Sequence, residues 1–137
     1  MRSGANVAEM ESFHFQGTEI APGTGVEVSL ELGDGPAGNP RSIPVYVLHG
    51  TKPGPVLGLV AGIHGDELNG VSVVHHLIHG DDHIANTEDD AIDREQLSGT
   101  LICVPVVNIE GMLLEQRGAP DNRDINRLFP GKRNGNQ

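Results

Sequence analysis

The stretch VLGLVAGIHGDELNG, residues 56–70, decides how this chain folds. Its first part, 56–61, is a continuous apolar run, which predicts a central strand covered on both faces. The following GIHGDE, 62–67, is polar and contains two glycines, which predicts a loop at the carboxyl end of that strand. Ligands and catalytic groups gather at this end of the strands in open α/β sheets.

The residues after this loop have the periodicity of a helix that packs on a sheet. A helix is predicted from Glu67 to His79, with Asp66 as its N-cap and Gly80 as its C-cap. Five apolar residues fall at helical spacing on one face: Leu68, Val71, Val74, Leu77 and Ile78.

Three further strands flank this unit. Residues 25–32 alternate apolar and polar side chains, 44–48 form a second strand, and 99–108 form another buried one. The HGTKPGP segment, 49–55, is predicted to be a turn because proline and glycine interrupt regular structure. The acidic 81–98 segment is predicted to be an exposed excursion or a short solvated helix, and the residues after 108 a loop. The order β-β-β-α-β predicts an α/β sheet that nothing after residue 108 closes, so we expect a partial domain.

Composition excludes several classes of protein. The chain has 137 residues, enough for one domain, and a net charge of −10 with 3% aromatic residues, which argues against nucleic-acid binding. No apolar run approaches the roughly 20 residues of a membrane span, and the N-terminus lacks a signal-peptide core. The single cysteine, Cys103, is expected in the core, and its isolation fits a cytoplasmic protein.

Basic residues are concentrated near the end of the chain. Residues 111–137 contain five basic and three acidic residues, whereas the rest of the chain contains four and sixteen. A positive segment on an acidic protein indicates either a local anion site or a solvated loop.

His64 and Glu67 are candidate metal ligands. They are three residues apart in the 62–67 loop, where an imidazole nitrogen and a carboxylate can turn toward one point. Such a pair suits zinc, although an HxxE sequence is by itself more often an ordinary polar helix start. Gly62 and Gly65 leave the backbone free to make the sharp turn.

Three stretches in order, AGIHGDELNG at 61–70, GTLICVPVVN at 99–108 and RGAPDNRDINRLFPG at 117–131, resemble the succinylglutamate desuccinylase/aspartoacylase family. The resemblance implies an α/β fold of the zinc carboxypeptidase type, with a mixed, mostly parallel sheet and flanking helices. It implies an N-terminal extension at 1–16 and the N-terminal portion of a zinc-hydrolase catalytic domain at 17–137.

The same resemblance implies roles for five residues. His64 and Glu67 would bind Zn²⁺, Asn126 and Arg127 would hold a substrate carboxylate, and Arg117 would be catalytic, polarising the scissile carbonyl while also contacting substrate. The implied reaction is hydrolysis of the amide bond of a small-molecule N-acyl amino acid. A guanidinium suits both roles because it pairs bidentately with a carboxylate and stabilises negative charge.

The chain departs from the family pattern in two ways. The family's third zinc ligand, a later His, and its general-base Glu have no counterpart, since no His follows His83 and no acid follows Asp124. Two alternatives therefore stay open beside the deacylase: a metallocarboxypeptidase, or a catalytically inactive fragment that binds a carboxylate or a metal. Within the chain, His14 and His49 are formal substitutes for the third ligand, whereas His75 lies too far along the helix.

Overall fold

A computed structural model describes residues 10–35, 38–80 and 91–131. Within these ranges, six strands, two helices and one short 3₁₀ turn follow one another along the chain. Their bounds are β1 Phe13–Phe15, β2 Thr18–Ile20, β3 Thr24–Asp34, β4 Pro40–His49, β5 Lys52–Val60, α1 Asn69–His79, β6 Ser98–Val104, α2 Ile109–Leu113 and the 3₁₀ turn Ile125–Arg127.

The strands form a two-stranded hairpin, β1–β2, and a four-stranded sheet with the order β3-β4-β6-β5. The sheet is mixed, as expected, and it carries few helices. Among its described strands, β3–β4 and β4–β6 pair antiparallel, and only β5–β6 pair parallel. A partial α/β domain of the expected kind is therefore present, with its parallel pairing confined to the edge that carries the HxxE loop.

Both faces of strand β4 are covered. On one face, Leu48 packs with Leu101 and Cys103 of β6 and with α1. On the other face, Val45 and Val47 pack with Ile20 of the hairpin. The alternation of side chains along an extended strand places these two sets on opposite faces. The core position expected for Cys103 is confirmed, since its side chain is completely buried.

Strand β5 does not lie where the sequence predicts. The expected central strand is an edge strand here, and its apolar side chains are open to solvent: Val56 is 56% exposed, Leu57 62% and Val60 43%. A run of apolar residues indicates that a strand is suited to burial, but pairing with other segments decides whether it is covered. Among the described strands, β6 is its only partner.

The predicted turn at 49–55 is also wrong in its extent, because β5 begins at Lys52. The prolines at 53 and 55 fall inside the strand, where the register against β6 is irregular between Lys52 and Val56. Proline has no N–H to donate to a neighbouring strand. It is tolerated in an edge strand because on the open side there is no neighbouring strand to bond with. Proline and glycine occur both in turns and in edge strands, so these residues alone did not distinguish the two structures at 52–55.

Helix α1 begins two residues later than predicted. Its N-cap is Leu68, not Asp66, and the first helical bond runs from Ser72 N to Leu68 O. Residues before it form a separate turn, closed by the bond from Glu67 N to His64 O at 3.2 Å. Gly80 is the C-cap as predicted, and Val74 and Ile78 are buried against the sheet.

The buried strand predicted at 99–108 ends at Val104, and a short helix, α2, follows where a loop was expected. Asn108 caps α2, with its side-chain oxygen accepting a bond from Gly111 N at 2.9 Å. Of the acidic segment at 81–98, residues 81–90 lie outside the described residues. No helix among the described ranges is both long and apolar enough to cross a membrane.

Candidate metal centre

His64, Glu67 and Asp124 meet at the carboxyl end of β5. His64 Nδ1 lies 3.2 Å from Glu67 Oε2, and His64 Nε2 lies 2.9 Å from Asp124 Oδ1. The imidazole itself is buried, with 7% of its side chain exposed, whereas Glu67 is 60% exposed. The geometry of the pair agrees with the HxxE spacing, and the metal-binding role stays a prediction.

Each nitrogen of His64 faces a carboxylate oxygen, and a carboxylate can only accept a hydrogen bond. Both nitrogens donate at once only when the ring is protonated. Both hydrogen bonds therefore raise the pKa of His64, the bond to Asp124 more than the bond to Glu67. The same bonds lower the pKa of both carboxyls, since hydrogen bonding stabilises their charged form.

Two glycines allow the loop to present His64. Gly62 has φ +57°, a left-handed conformation that side chains disfavour. Gly65 packs so closely on α2 that a Cβ there would overlap the Gly111 carbonyl group. The first glycine supplies the turn that the sequence suggests, and the second supplies close approach to a neighbouring helix.

Arg117 contacts the opposite side of the Glu67 carboxylate. Its Nη1 donates to Glu67 Oε1 over 2.6 Å, and the Arg117 side chain is 57% exposed. The backbone on either side of Arg117 is anchored to α2 and its cap. Gln116 N donates to Gly111 O at 2.8 Å, and Asn108 Nδ2 donates to Gly118 O at 3.1 Å.

Each arginine of the described basic segment has an acidic neighbour. Arg127 Nε lies 3.9 Å from Asp124 Oδ2 and its side chain is 82% exposed, while Arg123 pairs with Asp121 at 3.3 Å. Asn126 donates its backbone N–H to Asp124 Oδ1 at 3.0 Å. Arg127 and Asn126 thus lie beside the Asp124 carboxylate that holds His64, and the anion-binding role proposed for them is a prediction.

The distance between the donor atoms is suitable for zinc. With bonds of about 2.0–2.2 Å and tetrahedral angles, two ligand atoms lie about 3.3–3.5 Å apart. His64 Nδ1 and Glu67 Oε2, at 3.2 Å, are close to that separation. The bond from Nε2–H to Asp124 also leaves Nδ1 as the nitrogen that would face a metal.

The described residues supply two candidate metal-ligand atoms, His64 Nδ1 and Glu67 Oε2. Among residues 10–35, 38–80 and 91–131, no group of three or more His, Cys, Asp or Glu is placed to hold a metal ion. His49, a formal substitute for the third ligand, is buried and has both ring nitrogens engaged, by Thr100 Oγ1 at 2.8 Å and Glu11 O at 2.9 Å. His14, the other, is an exposed residue of β1.

An open depression of about 550 Å³ adjoins Glu67. It is lined by residues 60–63 and 66–70, which include apolar residues and Glu67. A small molecule in this depression would have a carboxylate ligand of the candidate centre within reach.

Sequence reasoning assigned no role to Asp124 or Asn108. Asp124 was visible only as the first residue of the DINR motif, residues 124–127, and its contact with His64 spans 60 residues of chain. Asn108 had a local signal, since Asn at the end of a strand and before a helix is a favoured N-cap. Its second contact, with Gly118 O, has no local signal.

A sequence model of the succinylglutamate desuccinylase/aspartoacylase catalytic domain matches residues 53–137. This range contains the HxxE loop, Arg117 and the DINR motif. Among curated proteins, none matches the sequence significantly.

Several solved structures share the fold. A succinylglutamate desuccinylase/aspartoacylase from Rhodobacter sphaeroides is 27% identical with a TM-score of 0.63, over 81% of this chain and 32% of that one. An aspartoacylase family protein from Mesorhizobium loti is 26% identical, with a TM-score of 0.65, over 94% and 36%. A product-bound ectoine utilization protein from Ruegeria pomeroyi is 28% identical, with a TM-score of 0.63, over 82% and 32%. The chain thus spans about a third of the length of these proteins.

Proposed function

Because the chain belongs to the succinylglutamate desuccinylase/aspartoacylase family, a family of hydrolytic deacylases, we propose that it carries part of the active site of a zinc-dependent hydrolase. The reaction is cleavage of the amide bond of an N-acyl amino acid in the cytoplasm. Neither nucleic acid nor a membrane takes part. The spatial arrangement of His64, Glu67 and Arg117 is the observation that supports this function best.

His64 and Glu67 are the proposed zinc ligands. Their donor atoms face each other at 3.2 Å, close to the separation that zinc requires, and Asp124 orients the imidazole. When bound, zinc lowers the pKa of a coordinated water toward 7 and polarises a carbonyl oxygen. Imidazole and carboxylate are a common ligand combination for this ion.

The arginines are assigned to the substrate. Arg117, on the Glu67 side of the centre, donates to the oxygen of the scissile carbonyl as negative charge develops on it. Arg127 and Asn126 hold the α-carboxylate of the amino acid, because a guanidinium and an amide together offer several donors to one carboxylate. Arg127 is 82% exposed and therefore accessible to such a ligand.

Substrate class is tested by comparing hydrolysis of N-acetyl and N-succinyl amino acids with that of dipeptides, in a protein that contains this chain and a complete family site. We expect the N-acyl amino acids to react faster and their α-methyl esters to react poorly, because the ester lacks the carboxylate. Faster cleavage of dipeptides would favour the metallocarboxypeptidase instead.

The zinc site is tested on the 137-residue chain by chelator competition. His64→Ala is expected to lower zinc affinity at least tenfold, whereas His14→Ala, at an exposed position on β1, should leave it unchanged. Equal affinity of the wild type and His64→Ala would refute the assignment. Because no His follows His83 and no acid follows Asp124, we expect this chain alone to bind zinc without turnover.

A further inference from the structure

Arg117 already occupies one oxygen of the carboxylate that is proposed to bind zinc. Its Nη1 lies 2.6 Å from Glu67 Oε1, and His64 Nδ1 lies 3.2 Å from Glu67 Oε2. Resting on the proposed function, we propose that Arg117 competes with zinc for the charge of Glu67, so that loading the site with zinc frees Arg117 to contact substrate.

Without a metal, the positive charge of Arg117 is paired with the Glu67 carboxylate, and the other oxygen of that carboxylate faces His64 Nδ1. With zinc bound at Nδ1 and that oxygen, the guanidinium would lie beside a doubly charged ion. Like charges at distances below the Debye length, about 10 Å at 0.1 M salt, repel each other, most strongly where water is partly excluded.

The Arg117 side chain can leave Glu67 at little cost. Both side chains are more than half exposed, at 57% and 60%, and exposed ion pairs contribute little to stability. The backbone stays in place because its neighbours Gln116 and Gly118 are bonded to α2 and its cap. Release therefore requires only rotation of the side chain.

This arrangement couples two parts of the proposed active site. Without zinc, the guanidinium is neutralised by Glu67 and is poorly available to a substrate oxygen. With zinc, it becomes a free donor next to the centre. The coupling is reciprocal. If the ion pair between Arg117 and Glu67 lowers zinc affinity, bound zinc must weaken that ion pair to the same extent.

The test measures zinc affinity of the 137-residue chain by chelator competition. Arg117→Gln is expected to bind zinc about 3- to 10-fold more tightly than the wild type, because it removes one positive charge beside the site. Arg117→Lys, which keeps the charge, should stay within about twofold of the wild type. The matched control is Arg123→Gln, which changes net charge equally but pairs with Asp121 instead, and it should have no effect.

A second readout follows the arginine itself. In a ¹⁵N spectrum, the Nε–H signal of Arg117, assigned from its loss in Arg117→Gln, should shift as zinc is added, while that of Arg123 should not. Equal or weaker zinc affinity of Arg117→Gln, or an Arg117 signal unmoved at saturating zinc, would overturn the competition. If instead zinc binds equally well to His64→Ala, the proposed metal site itself fails, and the two failures are thereby distinguished.

Discussion

At the level of single residues, the carboxylate of Asp124 links the two motifs of the site. It accepts from His64 Nε2 at 2.9 Å and from the backbone N–H of Asn126 at 3.0 Å. One acidic side chain therefore contacts the proposed zinc ligand and the turn that carries Asn126 and Arg127, the residues proposed to hold a substrate carboxylate. Asp124 has no proposed contact with metal or substrate. We expect it to affect the binding of both, because it contacts His64 and the backbone of Asn126.

Replacing Asp124 tests this link. Asp124→Asn removes the negative charge that stabilises the Nε2–H form of His64, so zinc affinity is expected to fall about 10- to 100-fold. The measurement is chelator competition on the 137-residue chain, with Asp121→Asn as the control that removes the same charge from an exposed ion pair. An unchanged affinity in Asp124→Asn would mean that packing alone orients His64.

Cys103 gives a prediction about pH. Burial raises the pKa of its thiol to about 11, and its side chain is completely inaccessible. Between its ordinary value of 9.0 and this raised value, the unfolded chain loses the proton while the folded chain keeps it. The contribution of Cys103 to the free energy of unfolding is therefore lost as the pH rises above about 9.

Thiol labelling measures the same property. At pH 8 the thiolate fraction in the folded chain should be about 100-fold lower than in the unfolded chain, and burial slows the reaction further. We expect a thiol reagent to react with the denatured protein at least 100-fold faster than with the native protein. Similar rates in the two states would show that Cys103 is accessible.

At the level of elements, the loop between β5 and α1 is held against α2. Its Gly65 packs on the Gly111 carbonyl group, and the adjacent His64 belongs to the candidate centre. Asn108, at the start of α2, also fixes the segment that carries Arg117. The short helix that the sequence did not reveal thus supports both sides of the centre.

An alanine at position 65 tests this packing. Gly65→Ala is expected to destabilise the fold by about 2 kcal/mol or more, because backbone atoms of α2 must move to accept the new methyl group. The control is Gly58→Ala in β5, where a Cβ meets no atom within 4 Å and the change should cost nothing or stabilise slightly. Thermal unfolding of both variants decides, and equal midpoints would contradict the close packing.

At the level of the whole molecule, the sheet ends on an exposed apolar strand. Val56, Leu57 and Val60 of β5 are each more than two-fifths exposed, and β5 pairs with β6 alone among the described strands. Unpaired apolar edges promote association between chains, although prolines such as Pro53 and Pro55 oppose it. The 137-residue chain is therefore expected to self-associate through this edge.

Sedimentation velocity at increasing protein concentration checks this expectation. Leu57→Lys should shift the population toward the monomer, because a charge on the edge must be desolvated when a second strand pairs there. Leu113→Lys provides the comparison, since it adds the same charge at a residue of α2 that is 73% exposed. If both variants associate to the same degree, the contact lies elsewhere.

Local patterns were sufficient to predict the four strands of the larger sheet and α1, but not the β1–β2 hairpin, α2 or the 3₁₀ turn. Alternation identified β3, helical spacing identified α1, and a glycine marked the end of α1 at its correct position. The HxxE spacing also predicted that His64 and Glu67 would meet, because a tight turn brings residues three apart together, and the bond from Glu67 N to His64 O closes such a turn here. These features depend on contacts between residues close in the chain, so they can be recognised from sequence alone.

Tertiary structure decided the rest. Whether β5 is central or at an edge depends on which strands pair with it, and its apolar composition carries no information about that. Likewise, Asp124 reaches His64 across 60 residues and Arg117 reaches Glu67 across 50. Such pairs form because the chain returns to the same edge of the sheet, and periodicity within a short window does not specify where a distant segment returns.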